Sequence, residues 1–271
     1  MSSTPVLTDP SAAVTALWDR LIAIAKRLGD DDWARATPCT KWDVHDLLAH
    51  CAAIQLELDG GDPPDPPPDW DPGAGTSPFE RWTEAGVVQR QAWEADRLRA
   101  DLRSAREGHT TRLLRVEDWD NGALGPMGRT TEKELLLTRC YDLWVHLQDL
   151  HMALDEPIDV GDTSEAALAA HRFVLDRVPW MFAKGVGAVE GDALRLTVAA
   201  PVPLDAVVVM RGGRARLETA TGEVASTVRA APEALTLMVS GRGEPSQWSA
   251  RGLLDWSGEL ADRFVEKARL F

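Results

Sequence analysis

The stretch from Glu134 to Leu154, ELLLTRCYDLWVHLQDLHMAL, constrains the fold of this chain most. Thr131 and Glu134 have the spacing of a capping box at its start. Leu136, Cys140, Leu143, Leu147, Leu150 and Leu154 recur at helical intervals and predict one long helix with a continuous apolar stripe. Such a stripe has to be buried against other helices.

Three amphipathic stretches precede it. Asp9-Pro10 opens the first, with Asp as N-cap and Pro in the first turn. Its stripe is Val14, Leu17, Trp18, Leu21, Ile24, Ala25 and Leu28, and Gly29 stops it. Thr40 and Asp43 resemble a capping box for a second helix from about Trp42 to Leu58. There Leu47, His50, Cys51, Ile54 and Leu58 face the core, whereas His45 falls on the surface side. Ser77-Pro78-Phe79-Glu80 starts a third helix, with N-cap Ser, Pro at N1 and Glu at N3. It runs through Trp82, Ala85, Gln89, Trp93 and Leu98 to about Arg106. Between the second and third lies a Pro-, Gly- and Asp-rich crossover, Gly60 to Ser77, whose Trp70 either packs on the surface or folds over a pocket. Residues 107–130 read as irregular, with turns at Asn121-Gly122 and Pro126-Met127-Gly128. Four such helices bury their stripes most simply as a bundle.

The pattern changes beyond Asp155-Glu156-Pro157. Thr163 or Ser164 caps a fifth helix to about Trp180, which carries a lone, structural or exposed His171. Leu194–Val198 alternates as a half-buried strand does. Leu204–Met210, Ala215–Thr219 and Val224–Val228 are further strands, with Gly212-Gly213 as a turn. Pro232 begins a short helix ending at Gly241, and Glu259–Leu270 is a terminal helix. The fold class is therefore α+β: a helical bundle over 1–160 and a smaller α+β domain over 161–271 that includes its leading helix.

The net charge is -14, from 29 basic and 43 acidic residues. An acidic surface with no local basic patch argues against nucleic acid as a partner. No apolar run approaches the roughly 20 residues of a membrane span, and MSSTPVLTDP lacks a basic-then-apolar leader pattern. A cytoplasmic chain acting on a small molecule is expected. Cys39, Cys51 and Cys140 form neither a disulfide framework nor a CxxC pair. Eleven Trp stand against one Tyr, enough to fill a core and line a pocket.

On the long helix, positions three and four apart share a face, so Asp142 and His146 point at one place, with Asp149 a turn further on. A carboxylate and an imidazole converging are two ligands of a possible metal site; they are also what a solvated helix edge carries. His50, on the core stripe of the second helix, is a satisfied core histidine or a third ligand.

Three motifs taken together resemble the mycothiol-dependent maleylpyruvate isomerase family. They are Trp33…Pro38-Cys39…Trp42-Asp43-Val44…Leu48-Ala49-His50, Arg139…Asp142…His146…Asp149-Leu150, and Ala234-Leu235…Gly241-Arg242…Leu254-Asp255-Trp256-Ser257-Gly258-Glu259-Leu260-Ala261. The resemblance covers nearly the whole chain. It implies a DinB-like metal-binding four-helix bundle followed by a sterol-carrier-like domain. The metal, zinc first among divalent ions, falls to His50, Asp142 and His146, with Asp142 where the family has Glu. Zn, Ni and Fe(II) all suit that donor set. An arginine of the second domain enters the active site; Arg242 is the candidate, with Arg211, Arg214 and Arg216 as rivals. Cys51 and Cys140 are a fourth ligand, an oxidation-sensitive group or core filler.

The resemblance further implies mycothiol, the low-molecular-weight thiol of actinobacteria, as cosubstrate. Two imidazoles and one carboxylate leave a coordination position open for a thiol, whose pKa the metal lowers. The expected activity is a thiol-dependent isomerase or S-transferase acting on a small, carboxylate-bearing electrophile. Arg242 fixes the carboxylate or stabilises enolate charge. Asp149 orients His146 or closes a helix contact. A metal-dependent hydrolase on the same bundle and a non-catalytic small-ligand-binding protein are the alternatives.

Overall fold

The computed structural model describes residues 10–61, 70, 71, 73, 77–125 and 128–270, except the side chain of Phe79. Asp9, most of the Gly60–Ser77 crossover and the Pro126-Met127 turn lie outside the described residues. Trp70 is half-buried. The chain divides into two compact units, one spanning Thr8–Ile158 and the other built on Asp159–Phe271.

The first unit is a helical bundle. Its long helices are α1 (Ser11–Arg27), α2 (Val44–Leu58), α4 (Ala95–Leu113) and α5 (Glu132–Ala153), with the shorter α3 (Pro78–Val88) laid against α2. α1 packs on α4 and α5, and α2 on α4 and α5. The stripe residues Val14, Leu17, Trp18 and Leu21 of α1 are fully buried with Leu47 and Leu48 of α2 and Leu143, Trp144 and Leu147 of α5. Burying each such side chain contributes about 1.5–3 kcal/mol. α5 is more deeply set than a one-sided stripe implies, because every residue from Leu143 to Leu150 is buried. The expected caps at Ser77 and Thr131 form; each side chain accepts the backbone N–H three residues on.

The structure corrects the sequence reading at four places in this unit. Thr40 and Asp43 do not form a capping box; Asp43 is itself the N-cap of α2 and accepts from Asp46 N–H at 2.9 Å. The predicted third helix is two helices. Its interior holds one glycine, Gly86, inside α3 just ahead of the break, and no Pro follows it before Leu98, so local propensity reads through. Tertiary contacts stop it instead: Arg90 is buried, with Nε donating to Asp101 at 2.7 Å and Nη1 to the Gly86 carbonyl at 2.9 Å. The guanidiniums of Arg97 and Arg90 both lie over the Trp93 ring, 3.7 Å and 5.0 Å from its centre. Residues 107–130 are not wholly irregular: α4 continues to Leu113, and a hairpin follows, β1 (Gly122–Gly125) against β2 (Gly128–Thr131). His45 is half-buried rather than on a bare surface; its Nε2 lies 2.9 Å from the Trp93 carbonyl and its ring meets Trp33 edge-on.

The second unit has a five-stranded sheet in the order β5-β4-β3-β6-β7, from β3 (Ala193–Val198), β4 (Leu204–Arg211), β5 (Arg214–Thr219), β6 (Thr227–Ala230) and β7 (Leu254–Ser257). β3 pairs parallel to β6, and the other pairs are antiparallel. α6 (Glu165–Trp180), α7 (Pro232–Val239), α8 (Pro245–Ala250) and α9 (Glu259–Lys267) complete it. Sequence reasoning missed α8 and β7, both short. It also placed β6 three residues early. His171 is buried, with Nδ1 2.8 Å from Thr236 Oγ1, and is a packing residue between α6 and α7. Among the described residues no helix is long and apolar enough to cross a membrane.

Candidate metal centre

α2 and α5 bring His50, Asp142 and His146 together. One ligand atom from each lies within 4.8 Å of the others. His146 Nε2 is 3.4 Å from Asp142 Oδ1, and His50 Nε2 is 3.8 Å from the same oxygen. The two rings meet edge to face, 5.0 Å between centres. Metal–ligand bonds of about 2.0–2.2 Å in a tetrahedron set neighbouring ligand atoms roughly 3.3–3.5 Å apart. The His146–Asp142 separation is of that size and the His50–Asp142 separation is a few tenths of an ångström longer, so the donor set suits a small divalent cation once His50 closes in.

The surroundings prepare each donor. His146 Nδ1 lies 3.0 Å from Asp149 Oδ2. An N–H given to that buried carboxylate makes Nε2 the nitrogen that faces Asp142 and that a cation would take over from a proton. Asp142 Oδ2 accepts from Arg139, one helical turn earlier, leaving Oδ1 turned toward the imidazoles. Arg139 is buried and donates also to the Cys51 carbonyl at 3.3 Å. The shorter Asp side chain therefore reaches the histidines while anchored on its other oxygen. Trp42 covers the His50 ring at 4.6 Å between centres, and its indole N–H donates to Glu84 at 3.1 Å.

The charges agree with this geometry. Burial works against ionisation of Asp142, but Arg139 and then His146 hold its carboxyl well below the usual range. Burial pushes His50 down to about 4 against the pull of Asp142, so it is a neutral ring near pH 7. Burial opposes protonation of His146 too, yet Asp142 and then Asp149 raise it well above the ordinary imidazole value. A cluster that holds a proton this firmly is one that favours a cation.

The cysteines sort differently from the expectation for a fourth ligand. Cys51 and Cys140 are fully buried, and burial pushes both thiols up to about 12. They are inert core filler. Cys39, to which the sequence reading assigned no role, lies beside His146 and Asp149. Arg139 and Trp42 are likewise site residues that went without a role. The i, i+3 spacing of Arg139 and Asp142 was the available signal for the first; only the fold shows the second.

In the second unit Arg242 follows α7 and is half-buried; its guanidinium donates to the Ser240 carbonyl, and its own carbonyl accepts the Trp248 indole N–H at 3.0 Å. Arg211, Arg214 and Arg216 are exposed on β4 and β5, and Arg211 faces Glu218 at 3.6 Å. The third acidic group, Asp43, His45 and Asp46, is half-exposed and serves the start of α2.

Comparisons with known proteins agree with this architecture. A crystal structure of a histidine-to-alanine mutant of the mycothiol-dependent maleylpyruvate isomerase superposes with a TM-score of 0.62 at 15% identity, over 93% of this chain and 93% of that one. A crystal structure of the mycothiol-dependent maleylpyruvate isomerase gives 0.61 at 16% identity, over 88% and 90%. Likeness at such identities is likeness of fold. No curated protein matches the chain. The family model described as the mycothiol maleylpyruvate isomerase N-terminal domain matches residues 14–151, just over half the chain, and the chain belongs to that family.

Proposed function

We propose that this chain is a metal- and mycothiol-dependent isomerase or S-transferase acting on a small, carboxylate-bearing electrophile, with maleylpyruvate as the first substrate to assay. The observation that carries the reading is the convergence of His50 Nε2, Asp142 Oδ1 and His146 Nε2, with the outer faces of Asp142 and His146 already fixed by Arg139 and Asp149. Those three residues are the proposed metal ligands, and zinc is the first metal to test. A bound divalent cation would supply a positive centre that lowers the pKa of a thiol at an open position. The chain's own residues do the rest. His146 stays fixed in one tautomer through Asp149. Arg139 keeps Asp142 ionised. Trp42 covers one face of His50. Arg242 is the proposed anion-recognising residue of the second unit, suited to a substrate carboxylate or to enolate charge. We take the bundle as residues 1–160 and the sterol-carrier-like domain as 161–271.

The test is elemental analysis of the purified protein beside His50→Ala and His146→Ala, followed by turnover with and without mycothiol. One metal per chain, lost in both variants, with thiol-dependent turnover, is the expected result. A metal-free protein that takes up no zinc overturns the reading. Metal without any thiol dependence turns the assignment toward zinc-assisted hydrolysis.

A further inference from the structure

The loop leading into α2 is closed on itself. Thr37 Oγ1 accepts the Cys39 N–H at 3.1 Å and donates to the Trp42 carbonyl at 2.7 Å. The Trp42 N–H donates to the Cys39 carbonyl at 2.7 Å, and Ala36 bridges Asp43 across the loop base. Cys39 is thus held in place by backbone, not only by packing. Its thiol donates to Asp149 Oδ2 at 3.4 Å, the oxygen that lies 3.0 Å from His146 Nδ1. Sulfur, ring nitrogen and carboxylate oxygen all stand within 4.8 Å of one another. Asp149 is fully buried. A carboxylate cut off from water is oriented by the donors around it, and removing one lets it turn.

We propose that Cys39 is a positioning residue for the metal centre. Its sulfur meets both the Asp149 carboxylate, to which it donates, and the His146 ring; Asp149 holds that ring from Nδ1, and the ring presents Nε2 toward Asp142 and His50. The loop ahead of α2 thereby reaches a ligand carried by α5. The consequence for metal affinity rests on the function proposed above; the chain of hydrogen bonds does not.

Two variants decide it. Cys39→Ala removes the donor and Cys39→Ser keeps one. Histidine ¹⁵N spectra of the metal-free proteins, assigned with His146→Ala, report the His146 nitrogens, and competition against a chromophoric chelator reports zinc affinity. Circular dichroism confirms that each variant is folded. The expected result is displaced His146 resonances and zinc affinity about 10-fold weaker in Cys39→Ala, with both restored in Cys39→Ser. A Cys39→Ala protein indistinguishable from wild type overturns the inference, as does a Cys39→Ser protein that behaves like Cys39→Ala. Wild-type protein that binds no zinc overturns the metal reading alone, and the ring nitrogens still decide the role of Cys39.

Discussion

Asp149 lies 3.0 Å from Nδ1 of His146 from one turn further along the same helix, inside the bundle and out of reach of solvent. This contact sets which direction the ring faces and keeps a proton on Nδ1 when a cation occupies the Nε2 side. Replacing Asp149 by Asn keeps the shape but removes the charge and the fixed acceptor. Zinc affinity is expected to fall about 10–100-fold while the helix content stays unchanged. Calorimetric or competition titration checks it, and equal affinities would show that His146 is oriented by packing alone.

The two helices that carry this centre were legible in the sequence because their information is local. Spacing alone put Asp142, His146 and Asp149 on one side of α5 and His50 on the core side of α2. That the two sides meet came from family resemblance, since periodicity says nothing about which helix packs on which. The break between α3 and α4 was illegible for the same reason. It goes with Arg90 reaching Asp101 and with Arg90 and Arg97 both over the Trp93 ring, contacts that the sequence around Gln89–Glu94 does not announce. Cys39 was likewise hidden: its partner Asp149 is more than a hundred positions away.

Arg139 is 2% exposed and carries its charge beside Asp142. Asp142→Asn would leave that guanidinium buried without its counterion. Breaking a buried pair costs about 3–5 kcal/mol, and the partial exposure of Asp142 brings the expectation down to roughly 2 kcal/mol. Adding Arg139→Met to Asp142→Asn should recover most of the loss, though not metal binding. Urea denaturation of the metal-free proteins measures both. An Asp142→Asn protein as stable as wild type would mean that Arg139 finds water or another acceptor.

Gly86 sits in α3 where it crosses α2, and a Cβ there would stand 2.5 Å from the Cβ of Ala53. On helix propensity alone Gly86→Ala gains about 1 kcal/mol. Overpacking of two helices costs about 1–3 kcal/mol, so the net expectation is a loss on the order of 1 kcal/mol. A melting temperature above that of wild type would show that α3 can move away from α2 without penalty.

His109 on α4 is 1% exposed, and among the described residues neither ring nitrogen has a hydrogen-bond partner. Burial first, then the charges of Arg139, Arg112 and Arg106, push it down to about 4 from 6.5. The folded protein therefore keeps this ring neutral where the unfolded chain protonates it. Its contribution to stability is whole above pH 6.5 and is lost as the pH falls toward 4. At 1.36 kcal/mol per pKa unit the loss is at most about 3 kcal/mol. His109→Gln has no such proton to take up. Unfolding free energies of the two proteins, measured in urea from pH 7.5 to pH 4, should diverge in favour of the variant as the pH falls. Buried carboxylates such as Asp59, raised to about 6, affect both proteins alike and cancel in the difference. Parallel curves would mean that His109 is solvated inside the bundle and titrates as it does in the unfolded chain.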